Sequence, residues 1–258
     1  EQKIESMFDK LLQKVKWSEE KIDLEPGDYT VLLEPSAVTD LLVYAYWESA
    51  ARDADEGRTV FSKLENVPAF DKNVSIYSDP NEQGLECTNF VSAVASSSHE
   101  SVFDNGATIS KNNWILDGKV AGLFSPRYYA IKSNRQPTYF SENLIFNSEG
   151  KSTIELISDV KDGLLITCFW YIREVDPQKL LLTGLTRDGV FLIKDGKVVG
   201  AVNNFRFNMS PVDMLKNIKT IGKSEKTLAR EFGDYFKLTK MPPLIVEKFN
   251  MSTKSDAL

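Results

Sequence analysis

The sequence is poor in histidine. Among 258 residues there is one, His99, and that scarcity excludes more chemistry than any other feature. A zinc motif built on two histidines cannot be assembled within the chain, and a serine triad would have a single residue to use as its base. Cysteine is scarce as well, with Cys87 and Cys168 alone. Two thiols make no disulfide framework, so a reducing cytoplasm is the expected compartment. A metal site from His99 and both cysteines would need distant segments to converge. Positive charge is not in excess either: 31 basic residues stand against 37 acidic ones, for a net charge of −6. That excludes a general basic field, and no nucleic-acid partner is expected. Long apolar runs are missing too. The longest, Leu164 to Ile172, has nine residues with a threonine inside. A membrane helix needs about 20, so the run is expected as a buried strand, with no membrane partner.

What remains is an ordinary globular mixture, 42% hydrophobic and 26% charged, able to form one large core or two small ones. Ile4, Met7, Phe8, Leu11, Leu12 and Val15 recur at helical spacing over residues 3–16 and form one apolar stripe. Lys3, Glu5, Lys10 and Lys14 fall elsewhere. That stripe needs something to pack on. Glu25 to Asp28 reads as a turn and Tyr29 to Leu33 as a strand. Ser36 is placed to cap a second helix reaching about Arg52. Its Leu41, Leu42, Tyr44, Ala45 and Trp47 leave it nearly apolar all round, so burial is expected.

From residue 59 onward the signals are strands and turns. Val74–Tyr77 and Phe90–Ala95 are short strand candidates, and Leu244–Phe249 is another near the end. Asp117-Gly118 and Asp195-Gly196 each sit between apolar runs, as a type I′ hairpin turn requires. Ser152 to Glu155 fits a capping box, and Ser210-Pro211 opens a short helix. The expected class is α+β, with N-terminal helices packed on a mostly antiparallel, β-rich domain. The division is a mainly helical segment, 1–58, and a β-rich part, 59–258, or both joined as one compact unit.

Few residues invite a chemical reading. His99 lies among Ser96, Ser97, Ser98, Glu100 and Ser101, but triad partners come from distant segments and there is no G-x-S-x-G elbow. It reads as a polar loop residue. Cys168, mid-strand among apolar neighbours, reads as an inert buried thiol, and Cys87 has no histidine beside it. Asp53, Asp55 and Glu56 crowd the expected end of the second helix, as a solvated terminus or as a face for cations on a partner. More unusual is the stretch 164–208. Trp170-Tyr171-Ile172-Arg173-Glu174, Leu185-Thr186-Arg187-Asp188-Gly189 and Asn203-Asn204-Phe205-Arg206-Phe207-Asn208 set polar residues against strand formers. Such alternation makes either a solvated sheet face or an open face that holds an extended peptide.

Those same runs, from Gly163 to Pro177, Leu180 to Gly196 and Val202 to Asn208, closely resemble the TldD/PmbA family, described as metallopeptidases and formerly as modulators of DNA gyrase. Leu33-Glu34-Pro35-Ser36-Ala37-Val38, Glu56 to Ser62, Gly84-Leu85-Glu86-Cys87 and Met241-Pro242-Pro243-Leu244 resemble it too. The likeness is to the C-terminal portion, and it implies a further N-terminal domain that this sequence does not contain. The resemblance also implies a catalytic subunit with H-E-x-x-x-H on a central helix, paired with a sister subunit. Through Leu41-Leu42 the two histidine positions fall near Val43 and Glu48, and the glutamate falls near Tyr44. A cysteine ligand position falls around Gly233. All are substituted here.

The chain therefore resembles the PmbA-like (TldE-like) sister type, with no catalytic residue, no metal and no cofactor of its own. Its expected partners are a catalytic TldD-like subunit or a second copy of itself, and an unfolded peptide. Arg173, Glu174, Arg187, Asn203, Asn204 and Arg206 are the candidate contacts to peptide or subunit. The alternative is a stand-alone β-rich peptide-binding protein without a peptidase partner, and a third reading is a hydrolase using His99 or Cys87.

Overall fold

The computed structural model describes residues 4–233, 236 and 238–255. The elements in chain order begin with α1 (Ile4–Trp17), β1 (Lys21–Ile22), β2 (Gly27–Leu33), α2 (Pro35–Trp47), α3 (Ala51–Asp55), β3 (Ile76–Ser78), β4 (Asn112–Leu116), β5 (Lys119–Val120), α4 (Arg127–Ser133) and β6 (Asn143–Ile145). They continue with α5 (Thr153–Ile157), β7 (Asp162–Asp176), β8 (Leu181–Lys194), β9 (Lys197–Val202), β10 (Asn204–Met209), α6 (Pro211–Lys216), β11 (Ile218–Ile221), β12 (Glu225–Thr227), β13 (Leu238–Met241) and β14 (Leu244–Ser255). This is the α+β class that the sequence predicts.

Among the described residues the strands make two sheets. In the larger one, β2 pairs in parallel with β7, Val31 opposite Leu164, and antiparallel with β14, Leu33 opposite Leu244. From β14 the pairing runs to β10, then β8, and β8 pairs back onto β7. These five strands thus close into a ring, with β9 and β1 added outside β8. The second sheet has the order β12-β13-β6-β3-β4-β5. Most neighbours are antiparallel, with β1–β9, β2–β7 and β6–β13 parallel. Ring closure explains the unbroken burial of Gly163–Phe169. One face of β7 joins the main core through Leu164, Ile166 and Phe169. The other packs Leu165 with Leu156, Val160 and Phe191 under α5. α2 lies against β7, β13 and α6 with Val38, Leu41, Leu42 and Val43 fully buried.

Local signals predict most of these elements. Asp117 and Gly118 both have positive φ, as do Asp195 and Gly196, which is the type I′ geometry. Ser152 and Glu155 form the capping box, and Ser210 accepts from the Val212 amide ahead of α6. The Val74–Tyr77 candidate becomes β3, shifted to Ile76–Ser78, and the last strand extends to Ser255.

Three expectations change. Ser36 does not cap α2. The helix starts at Pro35, where proline's fixed φ suits the first turn, and the Ser36 hydroxyl donates to the Leu228 carbonyl instead. α2 also stops at Trp47 rather than Arg52, because Ser49 to Ala51 exchange backbone hydrogen bonds with Phe124. Finally, Phe90–Ala95 forms one bridge, Phe90 to Thr108, and no strand. Both backbone polar groups of Ala93 are taken by the Asn105 side chain, which satisfies them without a ladder.

α1 is as amphipathic as its sequence, but its stripe faces outward. Lys10 reaches Glu225, Lys14 pairs with Glu34 at 2.7 Å, and Trp17 meets Phe191 edge-on at 5.4 Å. Ile4, Met7, Phe8, Leu11, Leu12 and Val15 are all exposed, Ile4 by 85% and Val15 by 63%. Lys3, at the start of the expected helix, lies outside the described residues. So large an apolar patch on a surface favours association. Sedimentation is expected to show concentration-dependent self-association of this chain, weakened by Leu11→Glu. Identical monomeric behaviour of both proteins at high concentration would show that water tolerates the stripe.

Candidate functional site

α2 carries one charged residue, Asp40, which is completely buried. Its carboxylate is spent on backbone. The Phe169 N–H of β7 donates to Oδ2 at 2.8 Å, and the N–H groups of Arg230 and Glu231 donate to Oδ1. Burial pushes the carboxyl up to about 8, against the opposing pull of those three amides. Sequence reading passed over Asp40. The signal was there, since a lone charge in a buried helix must find partners.

Glu231 extends the arrangement. Its Oε2 accepts from the Ile172 N–H and its Oε1 from Arg173 Nη1 at 2.9 Å. The Ile172 amide falls at a bulge where β7 slips against β8 between Trp170 and Arg173. Tyr171 takes a left-handed φ of 56° there, a conformation that an aromatic residue adopts only under outside constraint. The Arg173 guanidinium lies over the Tyr171 ring at 4.2 Å, and Arg230 lies over Trp170 at 4.8 Å while pairing with Asp188. Phe232 meets Tyr44 at 5.6 Å and Trp47 at 4.7 Å.

These contacts bring together the positions at which the family resemblance implies a metal. Tyr44 of α2 meets Phe232 and feels the charges of both Glu231 and Glu48, the residue that ends the helix, while residues 234 and 235 lie outside the described residues. The residues present do not fit zinc. Val43 is apolar and fully buried. Both Glu231 oxygens already accept hydrogen bonds. Burial and the nearby Glu174 push the Glu48 carboxyl upward, toward its neutral form. Burial raises the Tyr44 hydroxyl as well, away from any role as a base at neutral pH. Among the described residues no three or more His, Cys, Asp or Glu side chains are grouped to hold a metal.

The six candidate contacts do not form one constellation. Arg187, Asn203 and Asn204 line a depression of about 760 Å³ with Lys21, Asp23 and Ser255. Asn203 also accepts from the Leu24 amide at 2.8 Å, and Asn204 accepts from the Thr186 hydroxyl at 3.2 Å. Arg173 and Glu174 lie beside Glu231 and α2, and burial raises the Glu174 carboxyl. Arg206 stands on the outward side of β10, between Leu185 and Thr253. Its neighbours Phe205 and Phe207 are fully buried on the other side. β10 is paired along both edges, so the face it offers is made of side chains.

The remaining candidate nucleophiles and bases are engaged elsewhere in the hydrogen-bond network. The His99 Nε2–H donates to the Trp47 carbonyl. Cys87 Sγ lies 3.4 Å from Ser141 Oγ. Cys168 is buried, its thiol is pushed up to about 12, and it donates to the Arg187 carbonyl. Among the described residues no helix is long and apolar enough to cross a membrane.

The comparisons with known proteins agree on one family. Residues 26–253 match the PmbA/TldA metallopeptidase C-terminal domain. Three solved structures share the fold. TldE from Thermococcus kodakarensis superposes with a TM-score of 0.72 at 16% identity, over 95% of this chain and 55% of its own. A candidate modulator of DNA gyrase from Bacteroides thetaiotaomicron gives 0.73 at 17%, over 94% and 51%. Another, from Thermotoga maritima, gives 0.71 at 18%, over 89% and 51%. This chain thus spans about half the length of each. No curated protein sequence matches. With 26–253 matched to that domain and the fold shared, this chain belongs to the PmbA/TldD family.

Proposed function

We propose that this chain is a non-catalytic member of its family, a cytoplasmic partner for a metal-bearing sister subunit that hydrolyses unfolded peptides. The observation that carries this reading is the junction of α2 with residues 229–233. The metal positions implied by the family fall there, and they hold valine, tyrosine, glutamate and glycine, with Phe232 packed over Tyr44 and Trp47. A site so occupied lacks the histidines and the cysteine that would hold a metal ion. The side chains of Arg187 on β8, Asn203 between β9 and β10, and Asn204 and Arg206 on β10 supply hydrogen-bond donors and acceptors for a peptide or for the sister. A similar structure bears the name TldE, which accords with a sister-subunit role.

The test is co-expression with a family member carrying H-E-x-x-x-H, followed by copurification, metal analysis and a peptidase assay. The chain alone is expected to hold no stoichiometric zinc, and to restore or enhance peptidase activity when paired. Arg206→Ala is expected to weaken peptide capture or pairing while moving stability by less than about 0.5 kcal/mol. About one tightly bound zinc per chain, or peptide hydrolysis by the chain alone, would overturn the reading. Unfolding by Arg206→Ala would make that arginine structural and remove it from the proposed face.

A further inference from the structure

Three elements distant in sequence meet near the positions at which the resemblance implies a metal: α2, the bulge of β7, and residues 229–233. A metal ion at such a junction binds side chains from separate segments and contributes folding energy by doing so. Here two carboxylates join the same segments. Asp40, from inside α2, accepts the amides of Phe169, Arg230 and Glu231. Glu231 is gripped from both sides: its own N–H goes to Asp40, and its carboxylate accepts the Ile172 N–H and the Arg173 guanidinium. The bulge leaves the Ile172 amide facing Glu231, at the expense of a left-handed Tyr171. Phe232 then covers Tyr44 and Trp47.

We propose that this junction is a metal-free clasp, in which the Asp40 and Glu231 side chains fasten residues 229–233 across α2 and the β7 bulge by accepting hydrogen bonds from backbone amides and from Arg173. The Glu231–Arg173 bond joins opposite charges and is stronger than a neutral one, and every bond of the clasp ends on an N–H donor that a cation would repel. The clasp deepens the reading above, because it rests on the same substituted metal positions. It adds that the fold at this junction is indifferent to divalent metal and depends instead on two acidic side chains.

The experiment uses the chain alone. Amide hydrogen exchange is measured for native protein, Glu231→Gln and Asp40→Asn, and thermal midpoints are measured in EDTA and with added zinc. Glu231→Gln is expected to speed exchange at Ile172 and at Arg230–Phe232 by about tenfold or more, as loss of one charge-assisted tie would, with little change elsewhere. EDTA and zinc should leave the native midpoint in place. Should Asp40→Asn fail to fold, Glu231→Gln decides alone, since the Glu231 side chain lies at the rim with 11% exposure. Unchanged exchange in Glu231→Gln overturns the clasp and leaves the subunit reading standing. A midpoint that rises with zinc concentration, together with zinc-dependent protection of those amides, overturns both.

Discussion

Phe207→Ala is expected to lower the unfolding free energy by about 3–5 kcal/mol, the range for deleting a fully buried aromatic ring. Phe207 lies at 4.5 Å from Phe169 and 5.9 Å from Phe249, and those two rings stack on each other at 5.5 Å. The three rings come from β10, β7 and β14, three of the five strands that close the ring. Their neighbours have little room to collapse into the space. A Cβ on Gly184 would come within 2.7 Å of the Phe207 ring, so packing there is already tight. Urea denaturation followed by circular dichroism checks this. A loss below about 1 kcal/mol would mean that the Phe169–Phe249 stack relaxes into the gap.

Asp40→Ala is expected to be as costly, about 3 kcal/mol or more, for a different reason. It creates only a small cavity but leaves the Phe169, Arg230 and Glu231 amides without their acceptor. Each buried donor so abandoned costs about 1–3 kcal/mol. Titration separates this effect from packing. Burial raises the folded Asp40 pKa to about 8, whereas the unfolded carboxyl ionises near 3.9. Between those values the folded chain holds a proton that the unfolded chain has released, so stability falls as pH rises. Any stabilisation from the proton is complete below about 4 and lost as pH passes 8. Relative to Asp40→Asn, which does not titrate, the native protein should lose up to about 1.4 kcal/mol per pH unit across that window. A difference that stays flat from pH 5 to 8 would mean that the three amides hold the carboxylate ionised throughout.

The elements that sequence reading located are those whose cause is local. A type I′ turn needs two positive φ angles, and Asp195-Gly196 advertises them in two letters. Ser152 and Glu155 satisfy each other within one turn. Phe205, Arg206 and Phe207 alternate because the strand does. Errors arose where a distant residue decided the matter. Phe124 ends α2 at Trp47, and Asn105 occupies the backbone of Ala93. Nothing near Ser49 or Ala93 in sequence announces those partners. The same limit applies to the candidate site. Alternation set Asn204 and Arg206 on the face opposite Phe205 and Phe207, but it could not tell that Asn203 holds Leu24 or that Arg173 serves Glu231. Asp40 was legible in principle, as a single acid in a helix with no water to reach it, although the identity of its donors was not.

Closure of the ring has a consequence for how the chain reaches this state. β2 is held between β7 and β14, so its two edges are satisfied by strands made far later. During synthesis Tyr29 to Leu33 emerges with neither neighbour available, and after β7 arrives one edge still waits for Leu244 to Met251. Contacts this remote in sequence are entropically expensive to close and slow folding. An apolar strand left with a bare edge in the meantime is also a template for pairing with other chains. The ring therefore makes folding all-or-none in time, since its first strand cannot be finished until its last one is present. Truncation within β14 should yield aggregation rather than a smaller folded protein.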